Sequence, residues 1–295
     1  MLRKLLADEK VVISVGVHDA LSARIMEKAG IKLLGVSGFG CEACLLGKPD
    51  VGMLSMIEVV NHSRNIANSV NIPVTGDAED GYGGPQQVQR VVRELERAGL
   101  AGLFIEDQAH PVKCGFLGEH KRVIPMEEMI MKVRAAVDAR EDQDFVICAR
   151  TDSDIISVDE QIKRCNAYIK AGADLVYPRP NNREQFEVMI KAIKAPLRVN
   201  MYPTSGLKPK DLEALGFRGI VHYSTAPLLV ATQAMMDLAK EIGTTGEGKD
   251  TFNRLNVLNY NQFFEFMGLS EVIENDKHYW VEAAMNGERF NMESS

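Results

Sequence analysis

Ile72-Pro73-Val74-Thr75-Gly76-Asp77-Ala78-Glu79-Asp80-Gly81-Tyr82-Gly83-Gly84 runs from a short β-branched segment through two carboxylates into a glycine-rich turn. A strand at 72–75, an amphipathic stretch at 87–98 closing on Ala98-Gly99, and a further β-branched run at 102–105 make one strand-helix-strand unit. Residues two apart on a strand point to the same side, so Asp77 and Glu79 are expected to face one pocket. Two carboxylates so placed repel each other or hold a cation. Their oxygens suit magnesium, and glycines after a strand let backbone approach a small ligand. An acidic turn after an edge strand accounts for the same residues.

The unit recurs in both directions. Runs at 11–17, 33–36, 145–149, 175–177, 197–200 and 219–223 bring the candidate strands to eight. Segments with apolar positions at three- and four-residue spacing lie between them at 20–29, 127–139, 158–170 and 183–193. Ala29-Gly30, Ala171-Gly172 and Leu215-Gly216 supply helix-ending turns. Eight such units in about 250 residues fit an α/β fold of the (β/α)8 TIM barrel type, where a doubly wound sheet uses fewer strands. The barrel is expected over 1–243, with 226–243 as its eighth helix, and 244–295 forms a C-terminal helical extension. Phe252, Phe263, Phe264, Phe266 and Trp280 in that extension imply packing on the barrel or, as favoured here, on a neighbouring subunit.

The chain has 295 residues, 45% hydrophobic and 25% charged, with a net charge of -7. That size buries a sizeable core, and the acidic balance without a basic stripe argues against nucleic acid as a partner. A charged N-terminus without a signal-peptide core, and no long uncharged apolar segment, exclude a membrane partner and make a cytoplasmic enzyme the expectation. Five cysteines, Cys41, Cys44, Cys114, Cys148 and Cys165, are an odd, scattered set expected to be reduced. Cys41 and Cys44 form a C-x-x-C with no second pair at zinc spacing, so packing on a helix is expected of them.

Barrel active sites sit at the C-terminal ends of the strands. That rule gathers Ser37 and Gly38 after the second strand, Asp77 and Glu79 after the third, Glu106 and Asp107 after the fourth, Arg150 and Asp152 after the fifth, Arg179 after the sixth and Asn200 after the seventh. Acids and arginines round one mouth suit a divalent metal and an anionic substrate gripped through carboxylate or phosphate. A structural ring of ion pairs would use the same residue types.

Val36-Ser37-Gly38, Leu46-Gly47-Lys48-Pro49-Asp50, Gly76 to Gly83, Ile105-Glu106-Asp107-Gln108, Lys113-Cys114-Gly115, Ala149-Arg150-Thr151-Asp152 and Val199-Asn200-Met201 together resemble the ordered motifs of the isocitrate lyase and phosphoenolpyruvate mutase superfamily, nearest to its methylisocitrate lyase-like and 2,3-dimethylmalate lyase-like members. The resemblance covers residues 10 to 240. It implies a magnesium-dependent barrel, with manganese as the alternative metal, acting on a small 2-hydroxy or 2-oxo acid. It also implies a homotetramer in which the eighth helix is exchanged between subunits. By position, Asp77 corresponds to the direct metal ligand, while Asp50, Glu79 and Glu106 hold metal-bound waters; Glu79 stands where most relatives have Asp. Ser37 and Gly38, with Phe39 beside them, match donors to the α-carboxylate, and Arg150 matches the arginine that grips the keto acid or its enolate. Asn200 and Gly115 complete the expected substrate set.

The segment 108–122 contains Gly115 and Gly118 and no apolar period, as a lid that closes over substrate does. Carbon–carbon lyases of the superfamily carry Lys-Cys-Gly here, the Cys protonating the departing acid carbon, and the phosphonomutases generally lack it. Lys113 beside Cys114 is expected to lower the thiol pKa toward neutrality. Departures from the lyase pattern are Phe116 where the family has His, with His120 as a candidate replacement, Arg179 where methylisocitrate-cleaving relatives have Glu, and Leu228 or Leu229 where they have Arg. The last two together predict that Arg179 grips the distal anion.

The expected reaction is magnesium-assisted cleavage of a 2-hydroxy di- or tricarboxylate, of methylisocitrate or alkylmalate type, to pyruvate or another 2-oxo acid plus a simple acid. Glu106, Asp50 or a metal-bound water is the base. Phosphonomutase, phosphonopyruvate hydrolase, and oxaloacetate hydrolase or decarboxylase activities are the alternatives within the fold. A barrel without activity would show no thermal stabilisation by magnesium plus oxalate.

Overall fold

The computed structural model describes residues 1–201 and 206–285, the side chains of 119 and 281–285 excepted. The last ten positions of the expected C-terminal extension lie outside the described residues. Eight parallel strands close into a barrel in chain order. They are β1 (Val11–Val17), β2 (Leu33–Val36), β3 (Val74–Asp77), β4 (Gly102–Glu106), β5 (Val146–Arg150), β6 (Leu175–Tyr177), β7 (Leu197–Asn200) and β8 (Gly219–Tyr223). Val11 opposite Gly219 joins β1 to β8 and completes the circle.

Helices follow the strands: α1 (Leu2–Asp8), α2 (Ala20–Lys28), α3 (Gly38–Leu46), α4 (Met56–Ala67), α5 (Pro85–Arg97), α6 (Met126–Ala139), α7 (Val158–Lys170), α8 (Arg183–Ala192), α9 (Pro209–Ala214) and α10 (Ala226–Thr245). α5 shows why they pack. Val88, Val91, Val92 and Leu95 fall at helical spacing and are all fully buried in one cluster with Leu103 and Ile105 of β4. Each such side chain contributes about 1.5–3 kcal/mol by leaving water. Inside the barrel a second cluster runs from Leu2 of α1 through Val12, Leu33, Val146, Leu175 and Ile220 to the Phe104 and Tyr177 rings. α1 thereby plugs the bottom, and the ion pair from Arg3 to Asp174 at 2.9 Å fastens it.

Three local differences from the sequence reading have physical causes. α1 is short, and α3 opens on Gly-Phe-Gly, so neither shows a helical period; Ser37 caps α3 by accepting from the Gly40 N–H. α4 was not anticipated either, although Ser55 and Glu58, which form a reciprocal capping box, mark its start. β3 ends on Asp77, so Glu79 lies beyond the strand with φ 50°. Strand alternation is therefore not what aims Glu79; a left-handed backbone turn is, an uncommon state for a non-glycine residue.

The chain divides into two compact units, Met1–Ala231 and one that begins at Thr232. The second contains α11 (Lys249–Leu255), α12 (Tyr260–Met267) and α13 (Leu269–Met285). Within it Glu241 accepts from the Asp250 and Thr251 N–H groups, and Arg254 reaches Asp237 at 2.6 Å. Phe252, Phe263, Phe264 and Trp280 are exposed in the single chain. Among the described residues no helix is long and apolar enough to cross a membrane.

Candidate active site

A cavity at the C-terminal mouth of the barrel is lined by Ser37, Phe39, Asp50, Asp77, Cys114, Gly115, Arg150, Arg179 and Asn200, all anticipated from the sequence. Phe104, Phe116, Tyr177, Arg198, His222, Ser224 and Thr225 line it too and were not. Gly38, Glu79, Glu106 and Lys113 are not among the residues that line it.

One side of the cavity is acidic. Asp77 accepts from the Glu79 N–H through Oδ1 and from the Gly38 N–H through Oδ2, each at 3.0 Å. The Gly38 donor expected to bind substrate is thus committed to Asp77. A Cβ on Gly38 would lie 2.8 Å from Asp77 Oδ2 and 2.7 Å from Glu79 Oε1, so both carboxylates converge on that glycine. Burial raises the Glu79 carboxyl well above the ordinary range, and repulsion from Asp77, Glu106 and Asp50 adds to it. Asp50 is pushed up to about 6, by burial first and by Asp77 next. Such crowding of oxygen anions is what a divalent cation relieves. Among the described residues no three acidic, His or Cys side chains close round one point. The donors therefore fit an ion held by one or two carboxylates with water completing its shell, which is magnesium's habit.

The crowding has a thermodynamic consequence. Asp50 has a folded-state value near 6, above the unfolded carboxylate value of about 3.9. The stability it contributes is fully present below the unfolded value and is lost as pH rises through the folded one. Metal-free protein is expected to melt at progressively lower temperature as pH is raised across this window, and magnesium at neutral pH to restore the loss. Scanning calorimetry with and without chelator checks this; a flat or rising Tm without metal would contradict it.

Beside the acids the wall is cationic. Arg150 pairs with Glu106 at 2.7 Å and with Asp152 at 2.8 Å, so ion pairs of the structural kind are present beside its place in the cavity wall. Asp152 also receives Lys121 at 3.1 Å and Arg179 at 3.4 Å. Burial pushes the Asp152 carboxyl up, but Arg150, Arg179 and Lys121 outweigh that and hold it well below the usual range. Asp107 belongs elsewhere than the mouth. Its oxygens accept from Tyr168, Thr151, Arg164 and the Asp152 N–H, tying β4 to β5 and α7.

The 108–122 segment lies over the cavity. Ala109 N–H donates to the Arg122 carbonyl at 2.7 Å and Cys114 N–H to the Asp50 carbonyl at 3.0 Å. Arg179 donates to the Gly115 carbonyl at 2.8 Å and its guanidinium lies 5.4 Å from the Phe116 ring centroid. Glycine at 115 is required, because a Cβ there would sit 2.2 Å from Arg179 Nη1 and 2.7 Å from Arg150 Nη2. His120 is exposed and does not line the cavity. The expectation for the thiol is corrected: burial, and then Asp50, push Cys114 up to about 12 rather than down toward neutrality. Lys113 is held by backbone contacts to Gln108, while the sulfur sits between the Phe116 N–H, which donates to it, and the Asp50 carboxylate, which accepts from the thiol. At neutral pH the thiol keeps its proton, which is the state a proton donor needs.

The family described as Phosphoenolpyruvate phosphomutase matches residues 2–243. The 2,3-dimethylmalate lyase of Eubacterium barkeri is 37% identical over 286 residues, covering 94% of this chain and 96% of its own. Among solved structures, oxaloacetate acetylhydrolase in complex with 3,3-difluorooxalacetate superposes with a TM-score of 0.86 at 31% identity, covering 94% of this chain and 95% of that one. Phosphonopyruvate hydrolase in complex with oxalate and Mg++ gives 0.85 at 28% identity, covering 95% and 98%. With the family match running through the whole barrel, the chain belongs to the phosphoenolpyruvate mutase and isocitrate lyase superfamily, an enzyme family in which its relatives include named lyases.

Proposed function

We propose that this protein is a magnesium-dependent carbon–carbon lyase that cleaves a 2-hydroxy di- or tricarboxylate, of alkylmalate or methylisocitrate type, to pyruvate or another 2-oxo acid and a simple carboxylic acid. The observation that carries this reading is the Cys114 thiol, protonated and beside Asp50, on the lid of a cavity also lined by Asp77 and Arg150.

Asp77 would hold the ion, with Glu79, Glu106 and Asp50 orienting its waters. When bound, magnesium supplies Lewis-acid charge that makes a chelating 2-hydroxyl more acidic. Ser37 and Arg150 grip the α-carboxylate. Asp50 lines the cavity and is placed to take the hydroxyl proton; the carbonyl forms as the adjacent C–C bond breaks, and the electron pair moves onto the departing acid's α-carbon. Cys114 delivers its proton there, and the proton on Asp50 passes back to sulfur. Arg179 and Gly115 hold the lid shut during the exchange, excluding water from the carbanion.

We also infer that the protein is a homotetramer with α10 exchanged between subunits. In the single chain α10 buries no residue and exposes Val230, Met235 and Met236.

Hydrolysis or phosphoryl transfer is the second reading, supported by the likeness to oxaloacetate acetylhydrolase and phosphonopyruvate hydrolase. A panel of 2,3-dimethylmalate, 2-methylisocitrate, alkylmalates, oxaloacetate and phosphonopyruvate, assayed with magnesium for 2-oxo acid release, separates the two. Release from a 2-hydroxy acid that is at least tenfold faster than turnover of oxaloacetate and phosphonopyruvate is expected. The reverse order would replace the lyase reading.

A further inference from the structure

Three arginines line the cavity, and two of them are committed to carboxylates. Arg150 has Glu106 and Asp152, and Arg179 has Asp152 at 3.4 Å and Asp154 at 3.7 Å besides the Gly115 carbonyl. Arg198 differs. It is 2% exposed, yet among the described residues no carboxylate forms an ion pair with it. Nη1 donates to the Thr75 hydroxyl at 3.1 Å, and among the described residues the buried Nε has no hydrogen-bond partner. The guanidinium rests on the Phe104 and Tyr177 rings, 5.1 and 5.5 Å from their centroids, a contact that softens but does not replace a missing anion. A guanidinium carries five donors and cannot shed its charge. Held in a dry site, it costs stability until an anion answers it.

The surroundings are shaped for such an anion. Arg198 and Asn200 are two apart on β7 and share its inner face. Asn200 Oδ1 and Ser224 Oγ are buried and, among the described residues, have no hydrogen-bond partner. His222, opposite Asn200 across the β7–β8 ladder, has Nδ1 3.0 Å from Ser14 Oγ. Burial and the Arg198 charge keep its ring neutral, so it adds polarity without a second cation. β2 leaves this space open with Gly35, where a Cβ would lie 2.8 Å from His222 Cε1 and 3.0 Å from Arg198 Nη2.

We propose that Arg198, flanked by Asn200 and Ser224, is the grip for a second carboxylate on the substrate, so that the acid processed here is a dicarboxylate whose distal group lies against β7 and β8. The assignment of the first carboxylate to Arg150 and Ser37 rests on the lyase reading; the anion on Arg198 does not. Arg179, by contrast, is a clasp for the lid. The competing account is that Arg198 only balances the acidic wall, since its charge also bears on Asp77.

Calorimetric binding in magnesium distinguishes these accounts, using pairs of equal carbon chain length that differ only in the distal carboxylate, malate with 2-hydroxybutanoate and 2-hydroxyglutarate with 2-hydroxypentanoate. The wild-type protein is expected to prefer the diacid of at least one pair by about 10- to 100-fold, the range of a charge-assisted hydrogen-bonded contact. Arg198→Met should erase that preference while changing monoacid affinity less than threefold; Arg198→Lys should keep part of it. Arg179→Ala should weaken both members of a pair alike. A wild-type protein with no diacid preference, or an Arg198 variant that retains it in full or loses both acids equally, would overturn the proposal. Because binding is read rather than turnover, an Arg198-dependent preference without C–C cleavage of any acid would sink the lyase reading and leave this one standing.

Discussion

Cys114→Ala is expected to slow carbon–carbon cleavage by about 10²- to 10⁴-fold, the span that a positioned general acid supplies. Affinity for oxalate with magnesium should change little, because that ligand has no departing carbon to protonate. The thiol is nearly buried, its pKa is pushed up to about 12, and its proton is shared with Asp50. A side chain in that state is a poor nucleophile and a ready donor to a carbanion, which is a far stronger base than a thiolate. The lid should survive the substitution, since Cys114 is tied to Asp50 through its own backbone N–H and Gly115 to Arg179 through its carbonyl. Single-turnover measurements would place the loss in the chemical step. Unchanged cleavage would remove Cys114 from the reaction. Undiminished phosphonopyruvate turnover beside lost cleavage would show that the thiol serves only the lyase chemistry.

The barrel was legible because parallel strands covered on both faces read as β-branched runs, and glycine turns at Gly30, Gly99, Gly172 and Gly216 mark the ends of the helices between them. The site was legible in residue type and less so in geometry. Asp77 and Glu79 do converge, but through a left-handed turn at Glu79 that no side-chain period encodes. Asp107 could have been separated from Glu106 by strand alternation alone, since neighbours on a strand face opposite ways. Arg198 and His222 were passed over because each sits inside a run that otherwise reads as core. Two-residue spacing from Asn200 and Ser224 was the available signal. The thiol environment was not available at all: it depends on Asp50, which is 64 positions from Cys114 in sequence and meets it only once the lid closes. Lys121 and Asp154 escaped for the same reason, as partners 33 residues apart.

Asp152→Asn is expected to cost about 3–5 kcal/mol of stability, the scale for removing one partner from a buried ionic network. Asp152 is fully buried, and Arg150, Lys121 and Arg179 all lie within 3.4 Å of it. Asparagine keeps the shape and withdraws the charge, leaving Glu106 to answer Arg150 and Asp154 to answer the other two. The sign with pH follows from the direction of the shift. A carboxyl held below its unfolded value of about 3.9 contributes stability that is present above that value and is lost as pH falls toward the folded one. The gap between wild type and variant should therefore be full at neutral pH and close below about pH 4. The network also fastens the lid at two points, through Arg179 to Gly115 at its middle and through Lys121 near its end. Amide exchange at 113–121 should accelerate in the variant by more than the global loss requires, and KM should rise with it. Adding Arg179→Met to Asp152→Asn should cost less than Arg179→Met alone, since the second cation has already lost its main partner. Denaturant unfolding of the four proteins measures that coupling, and strict additivity would mean that Asp152 and Arg179 act independently despite their contact.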